Sequence, residues 1–259
     1  MKTTLISVMH RRERKKLMNL NTEGLIIREK STGEQNKSVT VLTRDYGIIR
    51  AYVYGAKKIG SRTGAATQLF AFSELGIAER KGSYIIEAAK PKEVFFELRY
   101  DVKKIALAQY FAELSEHLAP VGENAEEYLR LILNSLMFLM QSKRDEKLIK
   151  SVFELAILSM SGYMPNIVAC EECAKYEDEF MSFDIHSGNI YCSSCSKVGF
   201  KVPMSVISAI RHIVLSDRQK IFNFTLNESS LDALAELSER YTLAILQRKF
   251  RTLDFYHMI

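Results

Sequence analysis

Four cysteines carry the sharpest chemical signal in this sequence. They fall in one segment, Cys170-Glu171-Glu172-Cys173 and, eighteen residues on, Cys192-Ser193-Ser194-Cys195. Two thiolates three residues apart grip one ion from a tight turn, and a second such pair closes a tetrahedron at about 2.3 Å per bond. The donor set points to one structural Zn2+, because four thiolates leave no open position for a reactive water. Two disulfides are the competing reading, and a reducing cytosol disfavours them. A redox role for one pair leaves the other unexplained. His186 lies between the pairs and reads as a turn residue, not a ligand. The sequence has no His-x-Glu partner motif of the kind a deaminase zinc centre needs.

A second constellation is basic. Gly55-Ala56-Lys57-Lys58-Ile59-Gly60-Ser61-Arg62 spaces its glycines as a P-loop does, but Ser61-Arg62 stands where Lys-Ser/Thr belongs. Gly64 and the strand-like Leu69-Phe70-Ala71-Phe72 follow, so no helix N-terminus is expected there to hold a phosphate. What remains is a glycine-rich loop, expected to be mobile, that bears Lys57, Lys58 and Arg62. Just upstream lie Arg44 and Arg50, with Tyr52 and Tyr54 interleaved. Alternation along a strand puts Arg50, Tyr52 and Tyr54 on one face and turns Ala51 and Val53 inward. Cations for phosphates beside rings for bases suit single-stranded nucleic acid, read with little sequence preference. An ordinary solvated face with two strand-favouring tyrosines is the plainer alternative.

These residues need elements to position them. Leu25-Ile26-Ile27, Val39-Thr40-Val41-Leu42-Thr43, residues 48–54, residues 69–78 and residues 84–88 read as five strands. Thr32-Gly33, Tyr46-Gly47, the stretch from Gly60 to Gly64, and Lys81-Gly82-Ser83 separate them as turns. Five strands this close suggest a small closed barrel and not a βαβ sheet; OB-fold and SH3-like barrels both fit. From Glu93 onward the period changes. Leu107, Phe111, Leu114 and Leu118 make one helical stripe, and residues 125–141 are apolar nearly all round, as for a central buried helix. Residues 146–160 form a third helix, and Leu234, Leu237, Tyr241 and Ile245 mark another, with Ser230 as a candidate cap. Between the cysteine pairs, residues 180–184 and 188–191 look like a short hairpin.

The expected fold class is therefore α+β and multidomain. A five-stranded barrel spans 18–97, a helical domain 98–167 and 198–259, and an inserted four-cysteine zinc-finger module 168–197. Residues 1–17, with Arg11-Arg12-Glu13-Arg14-Lys15-Lys16, read either as a phosphate-touching basic arm or as an extension translated from a start codon upstream of Met18. Of the 259 residues, 47% are hydrophobic and 26% charged, which excludes wholesale disorder. No apolar run approaches the roughly 20 residues of a membrane helix, and the start lacks the order of a secretory signal. The expected compartment is the cytoplasm, with no membrane partner. Net charge is +5, unevenly spread: residues 1–97 hold 18 Lys/Arg against 10 Asp/Glu, so an anionic partner is expected for the front half.

Several of these motifs resemble one family. Thr22-Glu23-Gly24-Leu25-Ile26-Ile27, Leu42-Thr43 with Tyr46-Gly47-Ile48-Ile49, and Tyr54-Gly55-Ala56-Lys57-Lys58 followed by Ser61-Arg62 are similar to the opening of bacterial RecO. So is Gly162-Tyr163-Met164-Pro165 ahead of the two Cys-x2-Cys pairs. The resemblance runs from about Thr22 to the C-terminus. It implies an N-terminal OB-fold, a helical domain and a zinc-binding insertion. It also implies a non-enzymatic mediator of DNA repair and recombination in the RecF pathway, nucleoid-associated, without catalytic residues. Such proteins bind single- and double-stranded DNA and anneal complementary strands. With RecR, they help load RecA onto DNA covered by single-stranded-DNA-binding protein. That protein's acidic C-terminal tail is expected on the helical domain, with Lys143, Arg144 and Lys147, or Arg248, Lys249 and Arg251, as candidate rims. Two other classes stand beside this one: a zinc-containing OB-fold nucleic-acid enzyme, whose ligase form needs a Lys-x-Asp-Gly motif that this sequence lacks, and a zinc-ribbon adaptor that does not bind DNA.

Overall fold

A computed structural model describes residues 19–58, 60–196 and 199–259, with the backbone but not the side chain of Arg62. The expected basic extension over 1–17 lies outside the described residues. Five strands open the chain: β1 (Asn19–Thr32), β2 (Asn36–Thr43), β3 (Gly47–Val53), β4 (Ala71–Arg80) and β5 (Ser83–Val94). A five-residue helix, α1 (Arg62–Ala66), joins β3 to β4. The strands close in the order β1-β2-β3-β5-β4, with a short parallel contact between β3 and β5 and with β4 returning to β1. That order settles the OB-type topology which alternation alone left open. β1 is long because it serves two partners. Asn19–Leu25 pair with β4, Gly24–Thr32 pair with β2, and a bulge between Ile26 and Arg28 bends the strand from one to the other.

The barrel is buried on two sides. Ile26, Val39, Val41, Ile49, Ala51 and Val53 fill its interior. Their neighbours Leu25, Ile27, Leu42 and Ile48 point outward, yet they too are buried, because they pack on the helices. This explains the unbroken apolar run Leu25-Ile26-Ile27: a strand covered on both faces has no reason to alternate. The β2–β3 turn is stitched to the helical region by main-chain bonds. Ile48 N donates to Pro120 O (2.9 Å), Gly122 N to Tyr46 O (2.9 Å) and Ala125 N to Arg44 O (2.8 Å). Gly47 allows this approach. Its φ is +62°, and a Cβ there would lie 1.9 Å from Pro120 O.

A 3-10 turn (Phe96–Tyr100) leads into α2 (Val102–Leu118), whose first turn is capped by Asp101 accepting from Lys103 N and Lys104 N. Next come α3 (Glu126–Gln141), α4 (Glu146–Met160), α5 (Met204–Leu215), α6 (Glu228–Leu246) and α7 (Arg251–Met258). Three sequence expectations need correcting. The central buried helix is α4, in which every residue from Leu148 to Leu158 is buried, and not α3, which keeps a solvent face. The cap of α6 is Asn227, which accepts from Ser230 N, so Ser230 lies inside the helix. Helices α5 and α7 were not among the elements expected from the sequence. α5 is rich in β-branched residues, and α7 is short.

Helix α4 also buries charge. Glu154 is fully buried and accepts from Tyr110 Oη (2.8 Å), Ser238 Oγ (2.6 Å) and Lys150 Nζ (3.0 Å). Lys150 also reaches Glu239 at 2.8 Å, and Glu239 in turn pairs with His257 on α7 at 2.9 Å. Burial pushes the Glu154 carboxyl up against the pull of Lys150. Burial alone lowers Lys150, but the Glu154 and Glu239 carboxylates outweigh it and hold the ammonium above its ordinary value. The network joins α2, α4, α6 and α7.

The cysteine segment forms a three-stranded antiparallel sheet, β6 (Phe180–Phe183), β7 (Ile190–Cys192) and β8 (Phe200–Pro203), in the order β7-β6-β8. The expected hairpin is β6–β7; β8 is additional. Met181, Phe183, Ile190 and Val202 face the helices and join the same core, with Phe183 edge-on to Tyr241 at 5.3 Å. No described helix is long and apolar enough to cross a membrane.

Candidate metal centre and nucleic-acid interface

The two Cys-x2-Cys turns face each other. The Sγ atoms of Cys170, Cys173, Cys192 and Cys195 all lie within 4.8 Å of one another. All four are free thiols, and Cys173 and Cys192 approach to 3.6 Å between sulfurs, far beyond a disulfide bond. A tetrahedral zinc thiolate site has sulfur–sulfur edges of about 3.8 Å, so the cluster fits one such ion. Each turn is shaped by its own backbone. Ala174 N donates to Cys170 O, with Ala174 in a left-handed conformation, and Cys195 N and Ser196 N both donate to Cys192 O. Burial works to raise the Cys170 thiol, but backbone amides of Cys192, Cys173 and Glu172 aimed at it prevail and bring it down to about 6. Cys195 is pushed up, first by Cys192. Four sulfurs packed this closely compete for negative charge, which a divalent cation relieves. Among the described residues no other such group of ligands occurs, and His186 is an exposed turn residue.

Two residues that sequence reasoning missed hold this module. Asp178 accepts from Ser193 N (2.9 Å) and Ser193 Oγ (2.7 Å) and pairs with Lys175 (3.0 Å), tying the first turn to the second. The Ser193 hydroxyl and then Lys175 keep its carboxyl well below the usual carboxylate range. Arg211 of α5 is buried and donates to three carbonyls, Ile167 O (2.8 Å), Val168 O (2.9 Å) and Tyr176 O (2.7 Å), while its guanidinium lies 3.9 Å from the Tyr176 ring centre. The one signal for it was an arginine in the mainly apolar stretch Val206-Ile207-Ser208-Ala209-Ile210-Arg211.

The outer face of β1, β2 and β3 is basic. Register places Arg28, Thr40 and Arg50 on one cross-strand row, and Lys30, Ser38 and Tyr52 on the next. These two rows line a shallow cleft of about 460 Å3. Arg50 and Tyr52 are exposed while Ala51 and Val53 are buried, as the alternation predicts. Arg28 and Lys30 were missed. Their Arg-x-Lys spacing is visible in the sequence, but only the register sets them beside Arg50 and Tyr52. Lys57 and Lys58 are exposed on the loop beyond β3. That loop is anchored: Lys57 N donates to Gln35 O (3.1 Å), and Gly55 N donates to Asn36 Oδ1 (2.9 Å). The lysines thus stand at the turn end of the β1–β2 hairpin, beyond the Lys30 row.

Three features of this region lie apart from the two rows or differ from the strand pattern. Arg44 is not with Arg50; it sits at the β2–β3 turn in a separate cleft, 2.5 Å from Glu23 and 4.0 Å from Glu126. Tyr54 follows the end of β3 and lines another hollow, with Thr63, Arg80 and Ile85. A helix does follow the glycine-rich loop, namely α1. It closes on the barrel through Ser73 Oγ donating to Ala66 O (2.7 Å). Five residues without a side-chain cap supply no phosphate cradle, and the Lys-Ser/Thr pair is still missing.

Three of the six candidate rim residues in the helical region are already engaged. Arg144 lies over Phe138 and donates to Phe224 O, Lys147 pairs with Asp232, and Arg248 pairs with Glu113. A cleft of about 780 Å3 opens instead between α3 and the α5–α6 connection. Leu131, Val214, Ile221 and Phe222 wall it, and Arg130 and Arg218 stand at its rim beside Glu127 and Asp217, paired with Glu126 (2.7 Å) and Glu127 (3.9 Å) and so no freer than the expected rims.

An OB-type barrel fused through a common core to a helical region that carries a four-cysteine centre defines the class of this protein. Comparison with known proteins gives the family. The family model described as "Recombination protein O N terminal" matches residues 18–95, and "Recombination protein O C terminal" matches residues 99–254. The chain belongs to the RecO family. A relative named DNA repair protein RecO from Acetivibrio thermocellus is 30% identical over 239 residues, 91% of this chain and 95% of the relative. Another of that name from Caldicellulosiruptor bescii is 28% identical over 241 residues, 93% of this chain and 98% of the relative.

Proposed function

We propose that this protein is a DNA-binding mediator of DNA repair and homologous recombination that performs no covalent step. The observation that carries the reading is the pair of cross-strand rows on the barrel, Arg28-Thr40-Arg50 and Lys30-Ser38-Tyr52, on a chain of this family. Guanidinium and ammonium groups take backbone phosphates, and the exposed Tyr52 ring offers a base a stacking surface. Such contacts are indifferent to sequence and leave base edges free, so a held strand remains able to pair with its complement. Single-stranded DNA runs along the two rows toward Lys57, Lys58 and Arg62. Double-stranded DNA meets the same charges through its phosphates.

The 18–97 barrel holds DNA, and the helical region 98–259 receives protein partners. The acidic tail of the single-stranded-DNA-binding protein docks in the cleft between α3 and the α5–α6 connection, where Leu131, Ile221 and Phe222 suit a terminal apolar side chain and Arg130 and Arg218 suit carboxylates. With RecR, the complex then favours RecA loading on the exposed strand. One Zn2+ bound by Cys170, Cys173, Cys192 and Cys195 holds the module formed by residues 168–197 on the helices.

Titration of labelled oligonucleotides at several salt concentrations tests the DNA face. Removing charge at Lys57, Lys58 and Arg62 together should weaken binding similarly for unrelated sequences. It should also flatten the slope of log affinity against log salt by about 0.7 to 0.9 for each phosphate that is no longer neutralised. Unchanged affinity and slope, there and in an Arg28→Gln/Arg50→Gln variant, would leave the adaptor reading. Elemental analysis should find about one zinc per chain, released by acid or a strong chelator. Cys170→Ser should lose the metal and lower the melting temperature more than it lowers DNA affinity per folded molecule.

A further inference from the structure

The basic face contains one acidic group. Glu116, in the last turn of α2, reaches across from the helical region to β1 and β3. Its two oxygens are divided between the two arginines of one row: Oε2 lies 3.2 Å from Arg28 Nη2, and Oε1 lies 3.2 Å from Arg50 Nη2. The arginine side chains are 61% and 77% exposed, whereas the Glu116 side chain is only 13% exposed. The carboxylate is thus held in place by the fold, and the guanidinium groups bend to it from solvent.

We propose that Glu116 occupies a phosphate subsite, acting as a built-in competitor that a DNA backbone phosphate must displace. This rests on the proposed DNA face and adds the position at which one phosphodiester sits. A phosphodiester presents two non-bridging oxygens on one atom, as a carboxylate does, and bridges two guanidinium groups in the same way. The row geometry supports this. Arg28 and Arg50 flank Thr40 across the strands, leaving Thr40 between them with no larger side chain in the way. On one side of Glu116 lies the cleft with Lys30 and Tyr52. On the other, a hollow of about 240 Å3 between β1 and α2 is lined by Gln109 and by Glu29 and Glu113, whose carboxylates repel phosphate. Glu116 therefore also marks where the DNA path stops. Exposed arginines exchange partners at small cost, because a surface pair contributes little and salt screens it. The displaced carboxylate remains beside the phosphate, so bound DNA carries a standing repulsion. Binding is weakened without loss of direction, which suits a protein that must hand its strand on.

The test uses the full chain and oligonucleotides of two unrelated sequences. Glu116→Gln keeps the size of the side chain and removes its charge. Affinity at low salt should rise about three- to tenfold for both sequences, the scale of two exposed ion pairs no longer in competition. Glu116→Asp, too short to span both arginines, should give a smaller rise. The gain should vanish in an Arg28→Gln/Arg50→Gln background, which itself should bind more weakly than the parent. No gain from Glu116→Gln, with the double arginine variant still weakened, overturns the competitor and leaves the DNA face standing. An equal gain with and without the arginines also overturns it, since the effect is then bulk charge. A double arginine variant that binds as the parent does removes the DNA face itself.

Discussion

On the barrel surface Glu116 lies 3.2 Å from both Arg28 and Arg50, and in the helical core Lys150 lies 3.0 Å from Glu154 and 2.8 Å from Glu239. The groups and distances are alike, and the environments are opposite. Arg28 and Arg50 stand in water, where an ion pair is screened and its partners are free to be exchanged. Lys150 and Glu154 side chains are 4% and 0% exposed, so neither is able to recover hydration if the other is lost. The first set is chemically free to exchange its partner, as the proposed DNA face requires, and the second is a fastening for four helices. Exposure, not contact geometry, assigns the roles.

That contrast makes Lys150→Met the most damaging of the single changes. It strands the Glu154 charge in the core and should cost about 3–5 kcal/mol of stability. Denaturant unfolding checks this. DNA affinity per folded molecule should stay near the parent value, because the network lies away from the barrel face. Gly47→Ala should come next. It places a Cβ against Pro120 O in a left-handed backbone and should cost at least about 1–3 kcal/mol. Because the turn joins the barrel to the α2–α3 connection, the loss should appear in the melting of both regions. Arg28→Gln/Arg50→Gln inverts the pattern: stability should change by less than about 1 kcal/mol while DNA binding weakens. If the melting temperature collapses instead, these exposed pairs are structural and the contrast is wrong.

The smallest effect concerns acid. His117 is held below the ordinary histidine value of 6.5, first by burial and then by Arg248, with Glu113 opposing. The unfolded chain therefore binds this proton more readily than the folded one. Stability from this residue is present above about pH 6.5 and declines as pH falls through the window below it. His117→Gln should flatten the dependence slightly in unfolding measured between about pH 5 and 7.

The four-thiol cluster was legible because its chemistry is local: Cys-x2-Cys is one turn, and the spacing of two such turns survives any fold that brings them together. The alternation that turned Arg50 and Tyr52 out and Ala51 and Val53 in was legible for the same reason. Tyr54 was read onto the face of Arg50 and Tyr52 because a strand pattern continues past Val53, where β3 ends, and Arg44 is near Arg50 in sequence but not in the fold. Arg211 and Asp178 were missed because their decisive partners are backbone atoms and side chains of other segments, which a lone arginine in an apolar stretch does not name.

The fragments implied by the sequence boundaries meet a further physical limit. Leu25, Ile27, Leu42, Ile48 and Phe70 of the barrel belong to the same core as Phe111 and Phe153 of the helices. Either piece alone would expose that face to water, so partner mapping is better done with point variants of the whole chain than with the 98–259 fragment.

By itself the sequence determined the residue types and the local periods: four thiols in two turns, a run of short strands, then helices, with the cations concentrated early. Those follow from short-range geometry, which a chain carries in its own order. Tertiary structure decided the rest. The OB-type closure depends on β3 meeting β5 and β4 meeting β1, and the arginine row depends on a register that places Arg28 and Arg50 on either side of Thr40. Glu116 enters that row from a helix 66 residues further along the chain than Arg50. Side chains so far apart in sequence meet only because the shared core fixes the barrel against α2, and no local pattern encodes that distance.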